Sequence, residues 1–251
     1  VESLLDGDAL RLIGAKPHFD IRLALDDGGV LQIDRVLLTG QAVEATVTGT
    51  LDTANQNVDL EADMTVLDPD AVASLAGDLA FASATAHVAA RGAPDDLTLA
   101  ARAEISGLAA GGLTVDLFEA GLDGVLKPDQ FSGRMTANLV GLAGDDPAFA
   151  ALPPRISAAG GLTYDLAAEQ VTLSGLTLDG PVEGGGIGVT ANGHVDLASG
   201  DLDLDATASL AQLAPFAALA GIDLSGRASA SLTLSGQGFG ESGAGSLEVQ
   251  L

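Results

Sequence analysis

The sequence contains no cysteine and no tryptophan, and only 10 of its 251 residues are lysine or arginine. Without cysteine, neither a disulfide framework nor a thiolate site can form. The 35 acidic residues outweigh the basic ones and give a formal net charge of −25. A chain this acidic cannot neutralise phosphates, so nucleic acid is excluded as a partner.

Long hydrophobic runs are also missing, since no stretch of 18 consecutive apolar residues occurs. The sequence therefore predicts no transmembrane helix. Yet 47% of the residues are hydrophobic, which is too high a fraction for a solvated, disordered tail. Aromatic residues make up only 3%, so the apolar mass is alanine, valine and leucine. Small side chains of this kind either pack very closely or leave a space for something else to fill.

The first residue is Val1, and an alternating pattern at residues 247–251 stops without a turn. We interpret residues 1–251 as one continuous segment excised from a longer chain.

Alternation of apolar and polar residues dominates the sequence. Val58, Leu60 and Met64, for example, alternate with Asp59, Glu61 and Asp63. Successive side chains of a strand point to opposite faces, so each such segment has an apolar face and a polar, mostly acidic face. This pattern is typical of antiparallel sheet wetted on one side. It recurs at residues 19–25, 43–51, 58–66, 97–105, 113–117, 131–139, 187–197, 202–210 and 247–251.

Turn signals separate the strands, and three short segments break the alternation. The predicted turns are at Asp26-Asp27-Gly28-Gly29, Asp123-Gly124, Asp179-Gly180, Asn192-Gly193 and Ser199-Gly200. Helices of one or two turns are predicted at residues 68–77, 146–152 and 213–221, the first with Asp68 as N-cap and Pro69 at the first helical position. Their apolar pairs would dock on the sheet: Val72 with Leu75, Phe149 with Leu152, and Phe216 with Leu219. Each helix is followed by a predicted strand rich in small residues, at residues 79–90, 156–166 and 224–234.

The order of these features repeats. Gly49, Leu60, Gly77 and Gly92 each have an equivalent 144 positions later, at Gly193, Leu204, Gly221 and Gly236. A repeat of several strands and a short helix favours one quasi-one-dimensional sheet over two separate globules.

Catalytic and metal-binding patterns are weak. His18, His87 and His194 have no partner at the spacing of metal ligands, which favours surface positions. The acidic rows Asp59, Glu61, Asp63 and Asp201, Asp203, Asp205 diverge along extended strands, whereas calcium needs six to eight converging oxygens. A solvated face explains these rows better.

The segment 186–191 fits a dinucleotide-binding string, but the Asn192-Gly193 that follows does not begin a helix. No phosphate-binding loop and no nucleophile elbow occur in the sequence. We therefore predict no enzyme, no metal and no cofactor.

The apolar face admits two outcomes: a closed, dry core, or an open groove that binds lipid. An acyl chain of about fifteen methylenes would gain roughly 12 kcal/mol on leaving water, at about 0.8 kcal/mol per CH2. The scarcity of aromatic residues favours the groove. The candidate lining residues are Val43, Val47, Val58, Leu60, Met64, Val66, Leu97, Leu99, Ile105, Val115, Leu117, Met135, Ile187, Val189, Val195, Leu202, Leu204, Leu232 and Leu234.

The acidic alternating strands, and the helical breaks at Val72-Ala73-Ser74-Leu75-Ala76-Gly77 and Phe216-Ala217-Ala218-Leu219-Ala220-Gly221, resemble the TamB family. These are inner-membrane subunits of the translocation and assembly module, within the AsmA-like, bridge-like lipid-transfer proteins. The resemblance implies an all-β fold: an elongated, curled antiparallel sheet (a β-taco) with an interior hydrophobic groove and a few short helices.

The same resemblance implies a location in the periplasm of a Gram-negative bacterium, in a parent protein anchored in the inner membrane. Phospholipid would be the cargo, the outer-membrane barrel TamA a partner, and outer-membrane proteins clients of assembly. The segment that would engage TamA is not identifiable in this sequence. Two other functions stay open: a scaffold that offers strand edges to outer-membrane protein clients, and an extracellular adhesin-type solenoid with a filled core.

Overall fold

The computed structural model describes residues 12–14, 16–74, 79–144, 153–182, 185–214, 225–237 and 242–250. These residues form one open antiparallel sheet of 15 strands, in which spatial order follows chain order. The two-residue strand β9 stands outside this path and pairs with β7. The prediction of an all-β fold built from antiparallel sheet is confirmed.

The strands are long, and most are joined by short turns. Their bounds are β1 (His18–Leu25), β2 (Val30–Thr39), β3 (Val43–Asp52), β4 (Asn57–Val66), β5 (Ser83–Ala93), β6 (Asp96–Ala110), β7 (Leu113–Leu126), β8 (Gln130–Val140), β9 (Ala143–Gly144), β10 (Arg155–Asp165), β11 (Gln170–Val182), β12 (Gly185–Asp196), β13 (Leu202–Leu210), β14 (Ala228–Gln237) and β15 (Ser242–Gln250).

Contacts divide the chain into two compact units. Unit 1 comprises residues 1–111 and 115–128, and unit 2 comprises residues 112–114 and 129–251. Strands β1–β6 and most of β7 belong to unit 1, whereas β8–β15 belong to unit 2.

Two strands, β2 and β11, do not show the alternation of apolar and polar residues, and both contain a bulge. In β2 the pairing with β3 shifts between Ile33 and Val36. In β11 the pairing with β12 shifts between Leu173 and Leu176. An extra residue changes which face the following side chains occupy, so a strand with a bulge shows no continuous period of two. This is why these two strands were not predicted.

Three predicted turns are wrong, because the residues lie inside strands. Asp123-Gly124 lies in β7, where the Asp123 carboxylate accepts hydrogen bonds from Arg102 Nη2 at 2.7 and 2.9 Å. Asp179-Gly180 lies in β11, and a Cβ at Gly180 would overlap the ring of Pro153. In both places the residue is explained by a contact with another segment, Asp123 with Arg102 and Gly180 with Pro153, and not by a turn.

The third predicted turn that is wrong is Asn192-Gly193, which lies in β12. Asn192 Oδ1 accepts a 2.7 Å hydrogen bond from the backbone N–H of Gly175, which sits in the β11 bulge. The asparagine therefore satisfies a donor that the bulge removes from the ladder. The predicted turns at residues 26–29 and 199–200 do connect strands.

The first short helix is present as α1 (Pro69–Ala73). Asp68 Oδ1 accepts a 3.1 Å hydrogen bond from the Ala71 N–H, as the N-cap prediction required. Leu75 and Gly77 of this prediction, the whole 146–152 helix and residues 215–221 of the third helix lie outside the described residues. Phe149, Leu152, Phe216 and Leu219 are therefore not placed.

The repeat is visible in the strand register. Gly49 of β3 pairs with Leu60 of β4, and Gly193 of β12 pairs with Leu204 of β13. A Cβ at Gly49 would overlap the Asp59 carbonyl oxygen, and one at Gly193 would lie 2.6 Å from the Asp203 carbonyl oxygen. Both glycines are thus required by the same close approach of the next strand.

The repeat is longer than the sequence indicated. The bulge of β2 against β3 has its equivalent in the bulge of β11 against β12. At the other end, Val58 pairs with Gly92 as Leu202 pairs with Gly236. Strands β1–β6 therefore correspond to β10–β15, one repeat in each unit.

Few side chains are buried. Among the described residues, the buried hydrophobic ones are Ile33, Leu37, Ala42, Val115 and Ala191. Most other apolar side chains are half-buried by their neighbours within the sheet. Most apolar side chains among the described residues therefore keep part of their surface exposed.

Candidate functional site

In unit 1 the register collects the apolar side chains of six strands on one face. Val47 of β3 pairs with Ala62 of β4, which pairs with Val88 of β5. On the next strand Ala101 of β6 pairs with Val88. Paired residues share a face, so this face (the unit 1 apolar face) is continuous. Residues paired from strand to strand form rows across this face. One row is Leu23, Ile33, Gly49, Leu60, Ala90 and Leu99, and another is Phe19, Leu38, Ala45, Met64, Ala86 and Ala103.

Unit 2 has an equivalent surface, the unit 2 apolar face. Leu173 of β11 pairs with Gly193, Gly193 pairs with Leu204, and Leu204 pairs with Leu234 of β14. A neighbouring row holds Tyr164, Val171, Val195, Leu202 and Gly236. The apolar face therefore follows the repeat.

The structure brings most candidate lining residues together within their own unit. Nine of them lie on the unit 1 apolar face: Val43, Val47, Val58, Leu60, Met64, Val66, Leu97, Leu99 and Ile105. Eight lie on the unit 2 apolar face: Met135, Ile187, Val189, Val195, Leu202, Leu204, Leu232 and Leu234. Val115 and Leu117 share one face of β7, and Val115 is buried.

Both faces are accessible to solvent. Met64 and Val88 are exposed in unit 1, and Met135, Leu232 and Val249 are exposed in unit 2. Alanines such as Ala62 and Ala206 lie between larger side chains, so the apolar face is recessed at these positions. Contiguous exposed apolar surface on this scale is typical of a ligand-binding or interaction site.

The opposite face of unit 1 carries ion pairs between neighbouring strands. Arg91 Nε donates to Asp59 Oδ1 at 2.9 Å, and Arg91 also contacts Glu61. The hydrogen bond to Asp59, with the charges of both carboxylates, raises the pKa of Arg91. His87 Nδ1 lies 2.8 Å from Asp63 Oδ1. The first acidic row thus lies in solvent, where Asp59 and Glu61 pair with Arg91 and Asp63 contacts His87.

In unit 2 the polar face is rich in hydroxyl groups. Thr190 and Thr207 pair across β12 and β13, and their Oγ1 atoms are 2.6 Å apart. They line a shallow depression of about 480 Å3 together with Thr177, Ser231 and Glu248. A similar depression of about 450 Å3 in unit 1 lies beside His87, Arg102 and Glu104.

Sequence reasoning missed these depressions. The signal was present, because serine and threonine recur at polar positions of β11–β14, and Thr207 of β13 stands at the repeat position that Asp63 holds in β4. Openings that are shallow and lined by exposed polar groups lack the enclosure that binding of a small molecule requires.

In three turns, the carboxylate of the first aspartate accepts hydrogen bonds from the backbone N–H groups that follow it. Asp52 accepts from the N–H groups of Ala54 and Asn55, and Asp196 accepts from those of Ala198 and Ser199. The Asn55 side chain, followed by its backbone N–H, lowers the pKa of Asp52, and the Ser199 N–H lowers that of Asp196. Asp165 holds its turn in the same way.

The histidines and the second acidic row occupy solvated positions. His194 Nε2 is 3.3 Å from Asp203 Oδ2, and both side chains are exposed to solvent. His18 is exposed on β1. In the described part of the chain no three histidine or acidic side chains are grouped closely enough to hold a metal ion.

Comparison with known proteins gives no match: no family model matches the chain, and no curated protein or solved structure matches it significantly. None of the helices in the described ranges is both long and apolar enough to cross a membrane.

Proposed function

We propose that this chain is a periplasmic segment of a TamB-like protein, which shields phospholipid acyl chains during transport from the inner to the outer membrane and supports outer-membrane protein assembly. One observation carries the proposal: side chains that the register gathers on the apolar face of each unit remain accessible to solvent. An acyl chain laid on such a face would remove apolar area from water on both partners.

The composition of the two apolar faces would allow an acyl chain to move along them as well as to bind. In unit 1 the row from Leu23 to Leu99 contains no polar side chain. On a lining this uniform the binding free energy of an acyl chain is similar at every place, so the chain can shift along it at little cost in free energy. The net charge of −25 opposes adsorption to anionic lipid surfaces and favours contact through the tails.

The cellular setting comes from the family resemblance. In that setting the parent protein is anchored in the inner membrane, and TamA in the outer membrane is its partner. Acyl-chain shielding needs apolar contact and no bond chemistry, so the proposed role is non-enzymatic and uses no cofactor or metal.

A second function, a scaffold that offers strand edges to outer-membrane protein clients, stays a hypothesis from the sequence. The closed-core solenoid fits less well. A filled core would cover residues such as Met64 and Leu232, and both are exposed.

The test is lipid analysis of the chain purified from a Gram-negative host without detergent. We expect co-purified phospholipid by mass spectrometry, and displacement of a fluorescent fatty acid by added phospholipid. Loading should be saturable and insensitive to salt, because the contacts are apolar. A lipid-free protein that also fails to bind the fluorescent fatty acid would refute the proposal.

A further inference from the structure

The chain contains no cysteine and two methionines, Met64 and Met135, which therefore carry its only sulfur atoms. Met64 lies on β4 in unit 1, and Met135 lies on β8 in unit 2. Each is on the apolar face of its own unit, where Met64 is 44% exposed and Met135 is 37% exposed. Each apolar face thus presents one thioether to solvent.

Small neighbours explain why Met64 projects from the sheet. Its partners on the adjacent strands are Ala45 of β3 and Ala86 of β5. The preceding residue on the same face of β4 is Ala62. An alanine side chain ends at Cβ, whereas the methionine side chain continues through Cγ, Sδ and Cε. The thioether therefore stands above the alanines around it and remains accessible.

Met135 has similar surroundings in unit 2. It pairs with Gly160 of β10, and its neighbours on the same face of β8 are Gly133 and Ala137. None of these three residues has a side chain that extends beyond Cβ. Both thioethers consequently project from a floor of small residues, and an acyl chain that lies on either face at this place would contact the sulfur.

An exposed thioether is open to two-electron oxidation. With hydrogen peroxide, the sulfur supplies the electron pair of a new S–O bond, the O–O bond breaks, and water leaves. The product, methionine sulfoxide, is polar and accepts hydrogen bonds from water. Covering it with an acyl chain would remove those hydrogen bonds without replacing them, which opposes binding.

We infer that Met64 and Met135 are oxidation sites that control acyl-chain binding. A peroxide-class oxidant would switch binding off at the apolar face, and a methionine sulfoxide reductase would restore it. In the restoring step two thiols become a disulfide, the S–O bond breaks, and the oxygen leaves as water. The inference rests on the proposed function, because it takes the two apolar faces as the lipid-binding surface.

The first experiment treats the whole chain with hydrogen peroxide and measures binding of the fluorescent fatty acid before and after treatment. Peptide mass spectrometry follows sulfoxide formation at Met64 and Met135. Complete conversion should weaken binding at least about tenfold, since an acyl chain would then cover an unpaired polar group. Sulfoxide reductases for both epimers, with a dithiol as reductant, should restore binding. Unchanged binding after complete conversion, or a loss that reduction does not reverse, would overturn the inference.

The matched control is the double variant Met64→Leu, Met135→Leu, which keeps apolar side chains of similar volume but has no sulfur. Each protein is compared with its own untreated sample, so a difference in starting affinity does not enter the result. Peroxide should change binding in the parent protein and not in the double variant. An equal loss in both proteins would assign the effect to another group and contradict the inference.

A second measurement remains informative if the double variant fails to fold. Palmitate has no double bond for an oxidant to attack, and its bound chain should cover the sulfur atoms. Palmitate should therefore slow sulfoxide formation at both methionines of the parent protein, as followed by mass spectrometry. Equal oxidation rates with and without palmitate would overturn the inference while leaving lipid binding itself intact. A parent protein that binds neither palmitate nor phospholipid would refute the proposed function, and the inference would fall with it.

Discussion

Met64 and Thr65 are consecutive residues of β4, both exposed, and their side chains lie on opposite faces of the sheet. The same mutation at these two sites therefore separates the two faces. Met64→Glu should lower bound lipid at least about tenfold, because it removes an apolar contact worth about 1.5–3 kcal/mol and places a charge against the acyl chain. Thr65→Glu should leave lipid loading unchanged, as measured by quantitative lipid mass spectrometry.

The second unit supplies an independent pair. Leu232 and Ser231 are adjacent on β14, exposed, and on opposite faces. Leu232→Glu should reduce loading and Ser231→Glu should not. Both variants change exposed positions, so the free energy of unfolding should stay within about 0.5 kcal/mol of the parent value. Similar lipid loss from both faces would argue against an apolar binding surface.

Gly193→Ala should destabilise the protein by about 2–4 kcal/mol, because its Cβ would lie 2.6 Å from the backbone oxygen of Asp203 and the strands would have to separate. Gly188→Ala is the matched control on the same strand. There the nearest atom is the mobile Ser209 Oγ at 3.1 Å, and alanine is favoured over glycine by about 0.5–1 kcal/mol. Urea unfolding measures both variants, and an equal effect would show that the backbone contact is not the constraint.

Gln56 and Glu169 adopt positive φ values of 51° and 52° at the ends of the Asp52 and Asp165 turns. Gly200 has a φ of 75° at the corresponding place after Asp196. A left-handed conformation costs a residue with a Cβ about 1–2 kcal/mol, so Gln56→Gly and Glu169→Gly should each raise the free energy of unfolding by about 0.5–1 kcal/mol. Gly200→Ala should lower it. Thermal or urea denaturation reports all three, and destabilisation by Gln56→Gly would contradict the assignment.

The turn carboxylates should make the fold sensitive to acid. The pKa values of Asp52 and Asp196 are lower in the folded protein than their ordinary value of 3.8. Their ionised forms therefore stabilise the fold above about pH 4, and this contribution is lost as the pH falls through the lower, folded pKa values. A double variant Asp52→Asn, Asp196→Asn should lose less stability than the parent between pH 5 and pH 2, with Asp27→Asn as control. An unchanged pH dependence in the double variant would exclude these two groups.

Strand identity and the composition of each face were predictable where the period of two is unbroken, as in β4 and β13. Prediction was wrong where a residue has a role across strands. Asn192-Gly193 resembles a hairpin turn in sequence, but Asn192 satisfies a bulge on β11, and Gly193 admits the β13 backbone. The local dipeptide cannot reveal such a role, because the role depends on the register with which the neighbouring strand pairs.

The bulges explain the strands that were missed. β2 and β11 each carry an extra residue in their pairing with the next strand, which changes the phase of alternation midway. Neither reads as a single amphipathic strand. Because the two bulges occupy equivalent positions, the same irregularity also concealed that the repeat extends back to β1 and β10.

Alternation and charge, both local properties, were sufficient to establish an antiparallel sheet with an acidic or hydroxyl-bearing face and an apolar one, since side-chain direction in a strand depends only on position parity. Register and coverage are not local. Only the tertiary structure decided that the apolar rows align across six strands in each repeat, that many of their side chains remain exposed, and that β8 pairs with β10 along its whole length. Those features depend on which residues of neighbouring strands pair, and the alternation within a single strand does not specify that register.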